Sequence, residues 1–527
     1  MYDEKQIIKD WKDIDLSFGL IYPNIYKIGM SSYSIRLLYY LINSIENVAC
    51  ERIFLPDHIR FPASDDTSSL NRIRSIETKR IPKDFDVLGF SVQYENDYRN
   101  VLWILEKSNI PLRSKERNIF ENENQSHFPL IIGGGPVITS NPIPFSKIFD
   151  ILFIGDSELN LNKFLEKFIE FKKKFDDVNE FIQNVIALDG IFIPLKRNSV
   201  KRNILKDLNL SPTPNYQLLS SSSQKNNIFE NIYFIEVNRG CPYQCKFCIS
   251  SFHNSPFRIR SFEKIKTAIN DGVKYTQFET IGLIGPCVSA HPNFKEICEL
   301  IINSGKELKV PSIRIEHLNE EILHVISKGG IKTITIAPES GSERLRFNLG
   351  KKITDKVIFS IIEKIKKSSI KNIKLYFLIG LPNESEQEIT ETIEFIKKIT
   401  QIGFDTHTLR ININPLIPKL NTPYEKELKS YLSHNLGSLR SKMKRIHKEL
   451  NKYPSIKLKF QNPKEIIKQA SLQTLVSVGN LDVADLLLQY YNFGANFGSL
   501  RKAKKELRFS EDEYYMKIIN CYSPWKI

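Results

Sequence analysis

Nowhere in its 527 residues does this chain carry the uninterrupted apolar run of about 18 residues that a membrane-spanning helix needs. No membrane helix is therefore expected. The start, Met1-Tyr2-Asp3-Glu4-Lys5-Gln6, is charged and lacks the apolar core of a secretory signal. Cysteine is scarce and odd in number, at seven, which excludes a fully paired disulfide framework. Three of the seven stand together in one short run, and a reducing cytoplasm is the natural setting for adjacent free thiols. What is plentiful is positive charge: the formal net charge is +15, and basic proteins often meet nucleic acid or other polyanions. The excess is spread along the whole chain, so a nucleic-acid partner is one option among several.

The three clustered cysteines lie in Arg239-Gly240-Cys241-Pro242-Tyr243-Gln244-Cys245-Lys246-Phe247-Cys248. No fourth cysteine follows at ligand spacing. Thiolates are the usual protein ligands of iron–sulfur clusters, and a 4Fe–4S cube takes four. Three from one loop would hold three irons and leave one open, and an open metal position is what a catalytic centre needs. A zinc site completed by His253 is the competing reading. Zinc ligands, however, usually come as Cys-x2-Cys with a second pair on a separate hairpin.

A content of 41% hydrophobic residues is ordinary for a globular protein, and the length suits about two to four domains. Residues 1–165 alternate short apolar runs with helical patterns. Phe18–Tyr22, Val48–Leu55, Asp86–Val92, Pro129–Gly133 and Ile151–Gly155 read as buried parallel strands, and residues 33–45 as a helix. That rhythm predicts an open, doubly wound, Rossmann-like α/β sheet. Residues 166–230 read as a connector ending in the polar run Ser220–Asn227. Across 231–425 six strands are expected, at Tyr233–Val237, Thr276–Leu283, Val310–Ile315, Lys332–Ala337, Asn372–Ile379 and Thr408–Ile413, with helices such as 354–368 and 386–402 between them. Six βα units predict a partial or full TIM-type barrel, whose chemistry sits at the C-terminal ends of its strands. The cysteine loop directly follows the first of these strands. Residues 426–527 read as mostly helical, and their basic stretch 438–464 as a solvated helix face.

The loop resembles that of the radical S-adenosylmethionine (radical SAM) superfamily, whose signature is Cys-x3-Cys-x-aromatic-Cys. Phe247 is the aromatic, and Phe257-Arg258-Ile259-Arg260-Ser261 resembles the Arg-x-Arg-Ser stretch of many members. The resemblance implies a 4Fe–4S cluster on Cys241, Cys245 and Cys248, SAM on the open iron, a one-electron donor such as ferredoxin or flavodoxin, and a substrate that no residue here names. It also implies SAM contacts at Phe247, Gly285, Glu339, Ser340 and Gly380. Glu339 and Ser340 belong to a Glu-Ser-Gly stretch, and Gly380 to Ile-Gly-Leu-Pro-Asn-Glu. Where many members carry Gly-Gly-Glu, this chain departs with Leu283-Ile284-Gly285-Pro286; Glu279 is a candidate substitute. Arg314 and Arg344 are candidate contacts for a carboxylate.

Tyr22-Pro23-Asn24-Ile25-Tyr26-Lys27-Ile28-Gly29-Met30-Ser31, Cys50–Pro56, Gly133-Gly134-Gly135-Pro136, Phe153–Glu158, Pro415–Lys419 and Pro524-Trp525 extend the likeness. They resemble a radical SAM group with an N-terminal cobalamin-binding-like domain. That implies cobalamin as a possible cofactor, with Tyr26, Gly29, Gly133, Gly134 and Gly135 beside it. Cobalamin domains with Asp-x-His-x-x-Gly supply a histidine below the metal. The matching stretch here is Asn24–Gly29, without that histidine, and the phenol of Tyr26 is a poor ligand because it stays protonated near neutrality. The resemblance thus implies a SAM-cleaving radical enzyme, with cobalamin-dependent methylation as one outcome. RNA or protein modification without cobalamin is an alternative. Methylthiolation would need a second cluster on three N-terminal cysteines, and that part holds only Cys50; Cys287, Cys298 and Cys521 show no cluster spacing. A non-enzymatic, RNA-associated iron–sulfur protein with its open iron capped by a residue such as His253, or a zinc-binding adaptor, completes the alternatives.

Overall fold

Continuous apolar runs that end at small residues do become buried parallel strands. A computed structural model describes residues 6–57, 73–117, 119, 128–174, 178–215, 217, 232–425, 436–459, 462–511 and 513–514. The chain forms two compact units. The polar run Ser220–Asn227, Cys521 and Pro524-Trp525 lie outside the described residues.

The first unit takes in the described residues up to Lys206, those from Leu210 to 217, and those from Leu475 onward. Its sheet holds β1 (Leu16–Ile25), β2 (Val48–Leu55), β3 (Val87–Ser91), β4 (Leu130–Gly134), β5 (Ile151–Phe153) and β6 (Ile191–Phe192), in the order β2-β1-β3-β4-β5-β6. The first five are parallel, and β6 runs antiparallel to β5. All eight residues of β2 are buried, as strands covered on both faces require. Helices Tyr33–Asn43, Tyr98–Lys107 and Glu158–Lys174 follow β1, β3 and β5. Successive strands switch from one side of β1 to the other between β2 and β3, the kind of place where open α/β sheets bind ligands. Residues 166–230, expected as a connector, carry the end of helix Glu158–Lys174, helix Val178–Ile186 and β6. Helix Leu481–Asn492, far along the chain, also belongs to this unit. Asn141 Nδ2 donates to the carbonyls of Val476 and Gly479, at 3.2 and 2.9 Å, just ahead of it.

The second unit holds β7 (Ile232–Glu236), β8 (Asn238–Arg239), β9 (Arg258–Ile259), β10 (Thr280–Ile284), β11 (Glu307–Lys309), β12 (Thr333–Glu339), β13 (Asn372–Ile379), β14 (Leu409–Pro415) and β15 (Ile456–Leu458). Two parallel sheets, β7-β10-β11 and β12-β13-β14-β15, follow chain order, and β8 and β9 make a two-stranded ribbon. Between the sheets the Ile313 N–H donates to the Thr335 carbonyl at 3.1 Å. Helices Phe262–Tyr275, Glu320–Lys328, Asp355–Lys367 and Glu386–Thr400 are each opened by a side-chain cap, from Ser261, Asn319, Thr354 and Ser385. This is a partial barrel of βα units.

Three expectations shift. The third strand lies at Glu307–Lys309, not Val310–Ile315, because Pro311 has no N–H to give to a ladder. The strand expected from Thr276 starts at Thr280. A seventh parallel strand, β15, stands inside the region read as helical. The basic stretch is not wholly solvated either: Lys442 is buried and its Nζ sits 2.8 Å from Glu384 Oε2.

Candidate functional site

The cysteine loop leaves β7 through a turn that only glycine tolerates. Gly240 has φ +76°, and a Cβ there would stand 2.5 Å from the Asn254 carbonyl oxygen. The loop is held again from below, where the Lys246 N–H donates to the Leu349 carbonyl at 2.9 Å. Gly350, at φ +80°, lets the chain pass with its Cβ position 2.7 Å from the Gln244 oxygen. Phe247 pins the loop by packing on Leu345, Leu349, Leu381, Leu416 and Tyr424.

Cys241, Cys245 and Cys248 line one cavity of about 200 Å³, together with Phe247, Ser251, Cys287, Arg314, Glu339 and Lys351. Cys245 is buried, and Cys241 and Cys248 are partly so. Two cations face the thiols. Arg314 Nη1 lies 3.9 Å from Cys245 Sγ, while its guanidinium stacks 3.5 Å over the Tyr243 ring and pairs with Glu316. Lys351 Nζ pairs with Glu339 Oε1 at 3.0 Å and donates to the Ala337 carbonyl. Glu339 ends β12 with φ +70°, a left-handed conformation that costs a non-glycine residue strain.

A hydrogen bond with the Cys287 thiol, then burial, pushes Cys241 up. Burial pushes Cys245 up, opposed by Lys351 and Arg314. The hydrogen bond with Cys241 lowers Cys287. Metal loading would therefore release protons, and the two cations would stabilise the thiolates formed. Among the described residues no three of His, Cys, Asp and Glu converge on a single ion. His253 does not line the cavity; it is 3% exposed, with Nε2 2.7 Å from the Leu420 carbonyl. It is therefore not the fourth ligand of a zinc site, nor the cap of an open iron.

The other expected residues part company. Phe247 and Glu339 line the cavity; Gly285, Ser340 and Gly380 do not. Ser340 is buried, its Oγ accepting from the Ser342 N–H at 3.1 Å. The Gly380 N–H donates to Glu384 Oε2 at 2.9 Å, and a Cβ there would meet Leu439 at 2.8 Å. Gly285 stands where a Cβ would be 2.0 Å from Asn238 Oδ1. Glu279 is exposed, ahead of β10 and so at the far end of the strand from the loop; it cannot replace the missing glutamate. Arg344 pairs with Glu388 at the start of helix Glu386–Thr400, away from the cavity. Cys287 and Lys351 were not singled out by the sequence; a thiol or a lysine in a loop after a barrel strand was the only signal.

In the first unit, Tyr26 is packed edge-on against Phe54 with ring centroids 5.3 Å apart. The missing side chain of Gly29 is replaced by that same Phe54, 2.3 Å from its Cβ position. Gly133 is filled by Leu152 and Phe149, and Gly135, at φ +104°, lies under the Val92 carbonyl. Tyr26, Gly29 and Gly133 therefore serve packing. Gly134 is the open one, with only Phe153 Cβ, at 3.6 Å, near its Cβ position. At the carboxyl ends of the strands a polar strip runs from Ser32 to Ser34 (2.8 Å), Gln93 (3.2 Å) and Ser91 (2.9 Å).

Family models described as "Radical SAM proteins, N-terminal" and "Radical SAM superfamily" match residues 34–194 and 235–396, together more than half of the chain. An uncharacterised protein of Methanocaldococcus jannaschii is 27% identical, over 96% of this chain and 97% of its own. The cobalamin-dependent S-adenosylmethionine radical enzyme OxsB, solved with aqua-cobalamin, superimposes with TM-score 0.55 at 16% identity, over 95% of this chain and 76% of its own. The radical S-adenosylmethionine methyltransferase TsrM of Kitasatospora setae, solved with cobalamin and a 4Fe–4S cluster, gives TM-score 0.52 at 12% identity, over 78% and 75%. At these identities the two structures bear on the fold.

Proposed function

We propose, because this chain belongs to the radical SAM superfamily, that Cys241, Cys245 and Cys248 hold a 4Fe–4S cluster. Bound there, the cluster would supply the electron for reductive cleavage of SAM, the chemistry that yields a carbon-centred radical able to take hydrogen from an unactivated carbon. The observation that carries the reading is the shared cavity: three thiols from one loop open onto about 200 Å³ beside two cations and a carboxylate. The residues fit the cluster. Arg314 and Lys351 offset the charge of three thiolates in a site where burial strengthens such attraction. Arg314 is also the group best placed to meet the carboxylate of SAM, and Glu339 its amino group. Phe247, Ile336, Ile353 and Ile358 give the cavity an apolar wall, which would shield a reactive intermediate from water.

Cobalamin is proposed as a second cofactor, which would supply a methyl group to the substrate radical. Its support is the likeness to OxsB and TsrM and the open Gly134 beside the Ser32–Ser34–Gln93–Ser91 strip, whose hydroxyls and amide can bond a polar ligand. A reductant such as ferredoxin or flavodoxin, and a cytoplasmic setting, go with this reading.

The test is anaerobic reconstitution with iron and sulfide, reduction, addition of SAM and detection of 5′-deoxyadenosine. Four irons per chain and 5′-deoxyadenosine are expected from the wild type, and neither from Cys245→Ala. A zinc-loaded, colourless protein, or a cluster that never cleaves SAM, sinks the reading. Incubation with cobalamin should leave its absorbance band on the desalted protein; a clean spectrum removes the cobalamin part alone.

A further inference from the structure

Cys287 stands outside the signature loop, in the turn after β10, yet opens onto the same cavity. It is 3% exposed. Its backbone is clamped to the root of the loop: Asn238 Nδ2 donates to the Cys287 carbonyl at 2.6 Å. The chain reaches that clamp only because residue 285 is glycine, any Cβ there falling 2.0 Å from Asn238 Oδ1. A separate observation marks the cavity as a site awaiting a ligand. Ser251, 8% exposed, lines it with a hydroxyl that is buried and makes no hydrogen bond, and leaving such a group unmet is costly.

A proton outlet also begins at Cys287. Its Sγ lies 4.0 Å from Ser289 Oγ, which is 2.8 Å from His317 Nδ1, and His317 Nε2 is bonded to the Tyr243 hydroxyl. A thiol that is clamped, turned into the cavity and provided with an outlet for its proton has the parts of a metal ligand.

We propose that Cys287 is a fourth thiolate ligand, binding the open iron of the cluster while SAM is absent and giving way when SAM binds. The proposal rests on the cluster reading above. On binding, the S–H bond breaks, an Fe–S bond forms and the proton is released to water. When the amino and carboxylate groups of SAM take the iron, that Fe–S bond breaks and the proton returns. No electron changes hands. The missing fourth cysteine of the loop is thus supplied from another strand end, and it protects the open iron between turnovers.

The experiment uses the full chain, reconstituted with ⁵⁷Fe, as wild type, Cys287→Ser and Cys287→Ala. Without SAM, wild-type Mössbauer spectra should show four equivalent thiolate-bound irons, and SAM should make one iron distinct. Mild ferricyanide oxidation without SAM should leave wild type largely as 4Fe–4S, while both variants lose an iron and show a 3Fe–4S electron paramagnetic resonance signal at least several-fold stronger. SAM, no longer competing with a thiolate, should bind the variants several-fold more tightly. A distinct fourth iron in SAM-free wild type, or equal iron loss in all three proteins, overturns the proposal while leaving the cluster reading intact. A wild type that takes up no four-iron cluster overturns both. The wild-type comparison with and without SAM needs no variant, so the proposal stays testable even if a substitution disturbs folding.

Discussion

Single residues carry charge into places where it is costly, and Asp97 is the clearest case outside the cavity. It is 4% exposed. Burial pushes its carboxyl up to about 7, against the amide hydrogen bonds from Asn24 and Asn100, each 3.0 Å. The unfolded carboxyl titrates near roughly 4. Between those values the folded chain holds a proton that the unfolded chain lacks, so Asp97 makes stability fall as pH rises through that window. Asp97→Asn should remove this component. Urea melts at pH 5 and pH 8 should show the variant gaining on wild type at the higher pH; an unchanged difference between the two proteins would refute it. In the cavity, the same reasoning ties loading to proton release: uptake of iron by the raised thiols of Cys241 and Cys245 should weaken as pH falls.

Short elements position the chemistry. The cysteine loop is shaped by two glycines with positive φ, Gly240 and Gly350, where an added Cβ would stand 2.5 and 2.7 Å from a backbone carbonyl oxygen. Gly350→Ala forces a side chain against the Gln244 oxygen in a left-handed conformation, a strain of about 1–3 kcal/mol. Its expected outcome is a lower melting temperature and, on reconstitution, fewer irons per chain, because the Lys246–Leu349 bond that seats the loop must shift. Full iron occupancy with an unchanged melt would show that the loop bears the extra methyl without moving. The turn after β13 is fastened differently. Glu384, 8% exposed, accepts from the Gly380 N–H and pairs with buried Lys442; burial raises the Glu384 carboxyl against that pairing.

At the scale of the whole molecule, the chain returns to its first unit from Leu475 onward. Helix Leu481–Asn492 buries Val483, Ala484, Leu486 and Leu487 completely. Lys147 Nζ sits 2.5 Å from Asp485 Oδ2 within that unit. Fully burying a large aliphatic side chain contributes about 1.5–3 kcal/mol, so the loss of several is large beside the marginal stability of a domain. A chain ending after Thr474 should therefore expose its first unit to limited trypsin digestion, while peptides from the second unit, including the cysteine loop, survive. Equal resistance in both units would show that the C-terminal helices are dispensable. Among the described residues no helix is long and apolar enough to cross a membrane.

Sequence by itself determined what depends on neighbours along the chain. The stretches at Val48–Leu55 and Asn372–Ile379 are strands with those same bounds: the first is buried along its whole length, as a strand covered on both faces is, and the second alternates buried with half-buried residues, the period-two signature of a strand. The cysteine spacing, Phe247 and the radical SAM membership were legible for the same reason. Tertiary structure alone decided what depends on distance. It brought Cys287 and Arg314, from the loops after β10 and β11, and Lys351, from the loop between helices Glu343–Asn348 and Asp355–Lys367, to one cavity, and no spacing rule joins them. It gave Tyr26, Gly29 and Gly133 to the core, since Phe54, Phe149 and Leu152 fill the space beside them. It also buried Lys442 out of a stretch whose charge reads as solvated. A linear pattern records which residues prefer burial; which partner each then meets is settled only by packing in three dimensions.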